Sequence, residues 1–149
     1  MAVRRVHFEE AGCPVSRSVD AVGDWWSLLI VRDAFDGVRR LTDFQRSLGV
    51  AKNMLGARLR ELVDHGVLRS VPPPDGGFHR EYELTAKGRD LFPVIVALRQ
   101  WGERHCFAPD EPHRVLVDRA QGRPVRPLEV RAESGAVLGP DDTVVTGVS

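Results

Sequence analysis

Between positions 13 and about 107, apolar residues recur at helical spacing, and polar or glycine punctuation marks where each helix stops. Pro14 suits a first helical turn, and Val15, Val19 and Val22 behind it predict a helix ending near Gly23. Asp24 can cap a second helix running to Phe35. It carries Trp25, Trp26, Leu28, Leu29, Ile30, Val31, Ala34 and Phe35, is apolar on most sides and is expected to be buried. Asp36-Gly37 ends it. Thr42 followed by Gln45 fits a capping box, which predicts a short helix from Asp43 to Leu48, broken by Gly49. The next helix begins at Ala51 or Lys52 and runs to His65, with Gly66 as a left-handed stop. Leu55, Leu59, Leu62 and Val63 form its apolar stripe; at about 100° per residue, Asn53, Gly56, Ala57, Arg60 and Asp64 fall opposite.

Two short helices joined by a tight turn, the second small and polar in its N-terminal half, follow the helix-turn-helix plan. Behind them "VLRSV" reads as a strand, "PPPDGG" as a turn and "FHREYEL" as the returning strand, with Phe78, Arg80, Tyr82 and Leu84 on one face. A hairpin in that place is a wing. Thr85 then caps a long helix over 86–107 whose stripe is Leu91, Ile95, Leu98 and Trp101/Gly102, with a bend expected at Pro93. From Ala108 the texture changes to prolines, glycines and short Val/Leu runs. There "DRAQGRPVRPLEV" and "VRAESGAVLGPDDTVV" partly echo each other, as two β-hairpin units would. The expected organisation is a loose arm over 1–12, a winged helix-turn-helix domain over 13–107 and a small β appendage over 108–149. The fold class is mainly α with a β wing (α+β).

Composition narrows the class. With 42% apolar and 28% charged residues, the 149-residue chain reads as a soluble globular protein. The N-terminus has no apolar run that would make an export signal, and no stretch approaches the roughly 18 apolar residues of a membrane span. Two cysteines, Cys13 and Cys106, are too few and too far apart for a disulfide scaffold or zinc knuckle, so a reducing cytoplasm is expected. His7, His65, His79, His105 and His113 show no ligand spacing, and no metal site is expected. Phosphate-loop glycines, a nucleophile elbow and a close acid pair are all absent from the sequence, so neither an enzyme nor a cofactor is expected. Trp25, Trp26 and Trp101 are expected in core or dimer packing rather than a ligand cavity.

Net charge is zero, yet six basic residues (Arg39, Arg40, Arg46, Lys52, Arg58, Arg60) stand against one acid, Asp43, between positions 39 and 60. Singly, each could be a solvated surface charge. Together with the helix pair and wing they fit double-stranded DNA. A recognition helix lays its N-terminal half in the major groove, where small residues such as Gly56 and Ala57 let the backbone approach. Asn53 can pair with adenine, and Arg60 can read guanine or hold a phosphate. Lys52 stands where a phosphate would pass, and Arg58, on the flank of the stripe, suits a phosphate more than a base. Arg39 and Arg40 precede the helix that crosses the backbone. His79 and Arg80, at the wing tip, can reach a flanking phosphate or the minor groove.

"CPVSRSVDAVGDWWSLLIVRDAFDGVRRLTDFQRSLGVAKNMLGARLRELVDHGVL" followed by "EYELTAKGRDLFPVIVALRQWGERH" resembles the HxlR family of bacterial winged helix-turn-helix regulators. The resemblance covers about residues 13–105. It rests on Cys13-Pro14, Gly23 with Trp26, Leu28 to Ile30, Arg40 with Phe44, Met54-Leu55, Arg58-Leu59, "EYELT", Gly88 and Trp101-Gly102. It implies a homodimer on a two-fold operator, its interface formed by the first helix and the helix after the wing. Here that means Val15 and Val19 with Leu91, Ile95, Leu98 and Trp101. It also implies an oxidant or electrophile sensor at Cys13; if the first and last helices cross between subunits, Cys106 comes within disulfide reach of it, about 5.5–6 Å between α-carbons, and the alternative is a small packed residue and a chance one. Ala51 departs from the family's usual Ser or Thr before the recognition helix and forgoes an N-cap worth about 1 kcal/mol. The tail is similar to the zinc-ribbon tails of some such regulators but lacks every cysteine. A metal-free ribbon would be held by Val115, Val117, Leu128, Val130, Leu138 and Val144 packing on the body; an unrelated β appendage is the other reading.

The expected function is thus a sequence-specific DNA-binding regulator, a repressor by virtue of its small size and lack of an activation segment. An unknown small molecule or oxidant is its effector. The alternative is a winged-helix protein-interaction module without DNA binding, which Ala51 and the zero net charge favour slightly.

Overall fold

The structure, a computed structural model, describes residues 12–147; the expected N-terminal arm lies outside them up to residue 11. Among the described residues six helices and two strands follow in the order α1 (Pro14–Val22), α2 (Trp25–Phe35), α3 (Leu41–Leu48), α4 (Lys52–Asp64), β1 (Leu68–Val71), β2 (Glu81–Leu84), α5 (Ala86–Arg89) and α6 (Phe92–His105). A 3-10 turn, Pro140–Asp142, lies in the tail. Contacts divide the chain into two compact units, one up to Phe92 and one from Pro93. The sequence puts its boundary later, where composition changes at Ala108.

In the first unit α2 packs against α1, α3, α4 and β2. Its start is fixed as expected: the Asp24 carboxylate accepts from the Ser27 amide at 2.8 Å and from its hydroxyl at 2.6 Å. Ile30, Val31, Phe44, Leu55, Leu59, Leu62, Val67 and Leu68 make the core. The α4 stripe is therefore the buried one, with Val63 half-buried at its edge. Trp25 departs from the expectation for α2. Ser27 and Asp33 take buried positions on the helix, and Trp25 is left exposed.

Three boundaries differ from the sequence pattern. Thr42 and Gln45 form no capping box. Residues 39–40 are drawn into the wing by an Arg40–Glu81 bridge and by the Tyr82 amide donating to the Arg39 carbonyl at 2.8 Å, so α3 begins immediately after them at Leu41. Thr42 then lies inside the first turn, and the Gln45 amide donates forward to the Val50 carbonyl at 3.3 Å. Gly49 turns the chain toward α4 at φ 68°, which a residue with a Cβ rarely adopts. The returning strand begins at Glu81, not Phe78. It pairs antiparallel with β1 in the register Leu68–Leu84, Arg69–Glu83, Ser70–Tyr82, Val71–Glu81.

The expected long helix is two helices. Thr85 caps α5 by accepting the Gly88 amide at 3.0 Å, but α5 stops after one turn and α6 starts at Phe92. Pro93 is the reason. As second residue of a new helix its missing N–H is one that would have had no helical partner; in mid-helix it would break a bond and clash.

In the second unit the two echoed segments form tight hairpins, each closed by one bridge: Val117 with Pro124, and Arg131 with Val137. Gln100 of α6 grips the link between them, donating to the Arg126 carbonyl at 3.0 Å and accepting the Leu128 amide at 2.8 Å. The apolar anchors expected for this tail do not pack down. Val115, Val117, Leu128, Val130 and Val144 are exposed, and Leu138 alone of the set is half-buried. Hairpins this short leave their side chains little to cover them.

Candidate nucleic-acid interface

Burial of Leu55, Leu59 and Leu62 decides which way α4 faces. The opposite side carries Asn53, Ala57 and Arg60, all exposed, with Gly56 half-buried between them and Lys52 exposed at the first turn. Ala51 caps the helix with no side-chain hydrogen bond. The first amides of α4 thus keep the partial positive charge of a helix N-terminus. Among the described residues Lys52 and Arg60 have no ion pair.

The wing stands beside that helix start. A cleft of about 450 Å³ is lined by Arg40, Leu41, Thr42 and Lys52 on one side and by Pro73, Asp75, Phe78, His79, Arg80 and Tyr82 on the other. Four of the expected DNA-binding residues, Arg40, Lys52, His79 and Arg80, so come together from three separate places in the chain. Asp75 offsets part of their charge, 3.8 Å from Arg40. Arg80 braces the wing, donating from Nε to the Ser70 hydroxyl at 2.6 Å and from Nη2 to the Ser70 carbonyl at 2.8 Å.

Two expected contacts are placed elsewhere. Arg39 is half-buried; its Nε meets Glu81 at 3.3 Å and its Nη1 meets Glu83 at 2.9 Å. Its hydrogen bond to Glu81 pushes its pKa above the ordinary arginine value. Arg58 turns toward the body, with Nη1 3.1 Å from Glu61 and Nε 3.9 Å from Asp24. Both guanidiniums pair with acids of the fold, the Arg39 side chain 42% exposed and that of Arg58 29% exposed. The buried Glu81 is the reason for Arg39, and sequence periodicity gave no sign of it. Phe78, Thr42 and Tyr82 also line the cleft without a sequence signal, Phe78 because alternation extends the strand pattern through it although the strand begins at Glu81.

Of the residues expected at a dimer interface, Val15, Val19, Leu98 and Trp101 are exposed, while Leu91 and Ile95 are half-buried. The buried residue of α6 is Val96, off the expected stripe. Cys13 and Cys106 are both exposed free thiols. Hydrogen bonds from Ser16, backbone first and then side chain, hold the Cys13 thiol below its ordinary pKa. Among the described residues, His, Cys, Asp and Glu form no metal-binding group, and no helix is long and apolar enough to cross a membrane.

A three-helix core with an outward second helix and a hairpin beside it is the architecture of winged helix-turn-helix transcription factors. Over 95% of its length the chain is similar to the crystal structure of PA1607, described as a transcription factor, at 56% identity and TM-score 0.90, covering 99% of that chain. The chain belongs to the HxlR-like helix-turn-helix family, whose model matches residues 21–110. It is 43% identical over 112 residues to the HTH-type transcriptional regulator Rv3095 of Mycobacterium tuberculosis, spanning 75% of this chain and 71% of the relative. The redox regulator HypR, in its oxidised form, is 30% identical with TM-score 0.59, across 64% of this chain and all of that one. The chain is a helix-turn-helix transcriptional regulator, and its relatives are regulators rather than enzymes.

Proposed function

We propose that the chain is a cytoplasmic repressor that binds a palindromic operator as a homodimer, with α4 in the major groove and the wing on the flanking backbone. One observation carries this reading: the buried leucine stripe of α4 leaves Lys52, Asn53, Ala57 and Arg60 outward, beside a cleft that gathers Arg40, His79 and Arg80. Asn53 and Arg60 read bases; Lys52, Arg40 and Arg80 hold phosphates. A duplex enriched from a random-sequence library, titrated with salt, tests it. Affinity should fall log-linearly with salt, and the enriched site should be a two-fold repeat with half-sites about 34 Å apart. Failure to enrich any duplex would leave the protein-interaction module as the reading.

The dimer is supported by apolar side chains that one copy leaves uncovered: Val15 and Val19 on α1, Leu98 and Trp101 on α6. Single small domains rarely leave such faces bare without a partner. Leu98→Glu should yield a folded monomer by sedimentation, and an unchanged dimer would move the interface elsewhere.

A second reading concerns the signal. Cys13 is exposed, stands at the start of α1 and has a lowered pKa, which favours the nucleophilic thiolate. Its oxidation or alkylation would bias a dimer whose two recognition helices must keep a fixed spacing. Mild oxidant should lower operator affinity in the wild type and not in Cys13→Ser; non-reducing electrophoresis with Cys106→Ser shows whether Cys106 is the second sulfur.

A further inference from the structure

Phe78 is fully exposed at the tip of the wing, more so than any other aromatic residue among those described. It follows the Pro73–Gly76 turn, closed by the Gly76 amide donating to the Pro73 carbonyl at 3.1 Å, and precedes the pair His79-Arg80. Hydrogen bonds brace the tip on both sides of it: the Gly77 amide donates to the Asp75 carboxylate at 2.9 Å, and Arg80 is fastened to Ser70. An apolar ring held out into water is unfavourable unless something apolar meets it. The surrounding charge says what that is. Arg40, Lys52 and Arg80 line the same cleft, so the polyanion that satisfies them passes directly beside the ring. Between the phosphate rows of a duplex, the apolar surface on offer is the faces of stacked bases. Proteins that part a base step from the minor groove place an aromatic or aliphatic wedge next to cations.

We propose that Phe78 is a minor-groove wedge. With α4 in the major groove, the ring enters the adjacent minor groove, partly unstacks one base step and kinks the duplex. Part of the operator preference then comes from how easily that step opens, and flexible pyrimidine–purine steps are favoured. The proposal rests on the DNA-binding reading above.

The test uses the full chain and a duplex enriched by the wild type from a random-sequence library, with dyes at the two ends. Energy transfer reports the bend, and permanganate reports unstacked thymines. Wild type should bend the duplex by about 20–90° and expose thymine at one step per half-site. Phe78→Ala should weaken binding about tenfold, in the range of a lost base–aromatic stack, and abolish both the bend and the thymine reactivity. The slope of affinity against salt should stay unchanged, because no charge is removed. Phe78→Trp should retain the bend. Lys52→Ala should do the converse, lowering the slope by about 0.9 and keeping the bend. A Phe78→Ala variant that matches wild type in bend and thymine reactivity overturns the wedge, whether or not affinity falls, and leaves the DNA-binding reading standing. If the wild type enriches no duplex, both are overturned.

Discussion

Arg39 and Glu81 form an ion pair at the base of the wing, Nε to Oε2 at 3.3 Å, and Glu81 is only 5% exposed. The pair joins the chain just before the helix-turn-helix to the second wing strand, where the Arg40–Glu81 bridge and the Tyr82 amide already tie them. Removing the arginine would leave the buried carboxylate with Arg40 alone, whose Nε lies 4.0 Å from Oε1.

Arg39→Ala should therefore lower stability in urea by about 1–2 kcal/mol. That is less than the 3–5 kcal/mol of a fully buried pair, because the guanidinium is partly in water. Arg39→Lys should recover part of the loss. Neither change should alter the salt slope of DNA binding, and a reduced slope would return Arg39 to the phosphate contacts.

Charge reversal of roles is expected among the cations of α4. Lys52→Ala and Arg60→Ala should each reduce the slope of log affinity against log salt by about 0.9 if each holds one phosphate, with little effect on folding. Should Arg60 read a guanine instead, its loss would relax one operator position by about 1–3 kcal/mol. Arg58→Ala should leave the slope unchanged and weaken the fold, since its guanidinium lies against Glu61 and Asp24. Anisotropy titrations at several salt concentrations separate the three.

What the sequence shows and what it hides follow from the range of the forces involved. The Asp24 cap, the Gly49 turn, the Ala51 start and the Leu55–Leu62 stripe depend on residues within a turn or two of one another, and periodicity reveals them. The position of Arg39 depends on Glu81, brought near only by folding, and a basic residue read along the chain looks free until its acid arrives; for Arg58, Glu61 stands three residues on in the same helix and only the longer contact, to Asp24, comes from afar. The false capping box at Thr42 has the same origin, because a pairing with β2, far along the chain, fixes where α3 begins. Pro93 was visible, but whether a proline bends or divides a helix is decided by what surrounds it.

Two glycines in the first unit should respond oppositely to a methyl group. A Cβ on Gly88 would stand 2.1 Å from the Val67 carbonyl oxygen and 3.0 Å from Leu84 Cδ2, where α5 presses on the hairpin. Gly88→Ala should cost about 1–3 kcal/mol by overpacking against backbone. At Gly56 nothing lies within 4 Å, and the residue is interior to α4. Gly56→Ala should raise stability by about 0.5–1 kcal/mol and yet weaken DNA binding, because the methyl holds the helix off the base edges. Urea melts and operator titrations of both variants give the two signs; a Gly56→Ala protein that binds as tightly as wild type would move the close approach to another part of α4.

The lowered pKa of Cys13 makes a prediction whose sign can be worked out. The Ser16 amide, then the Ser16 hydroxyl, favour the thiolate in the folded chain. Because the folded pKa lies below the unfolded one, this stabilises the fold above the unfolded value and is lost as pH falls through the folded value. Reactivity follows the same titration. In a Cys106→Ser background, alkylation of Cys13 by iodoacetamide should reach half its maximal rate below the ordinary thiol value of about 8.5. Ser16→Ala should move that midpoint upward without fully restoring it, since the backbone amide is the larger contributor and survives the change. Unfolding in urea should bring the midpoint to the ordinary value. A folded midpoint at or above that value would remove the physical basis for Cys13 as a reactive thiol, and with it the oxidant as effector, while leaving the DNA-binding surface of α4 and the wing unaffected.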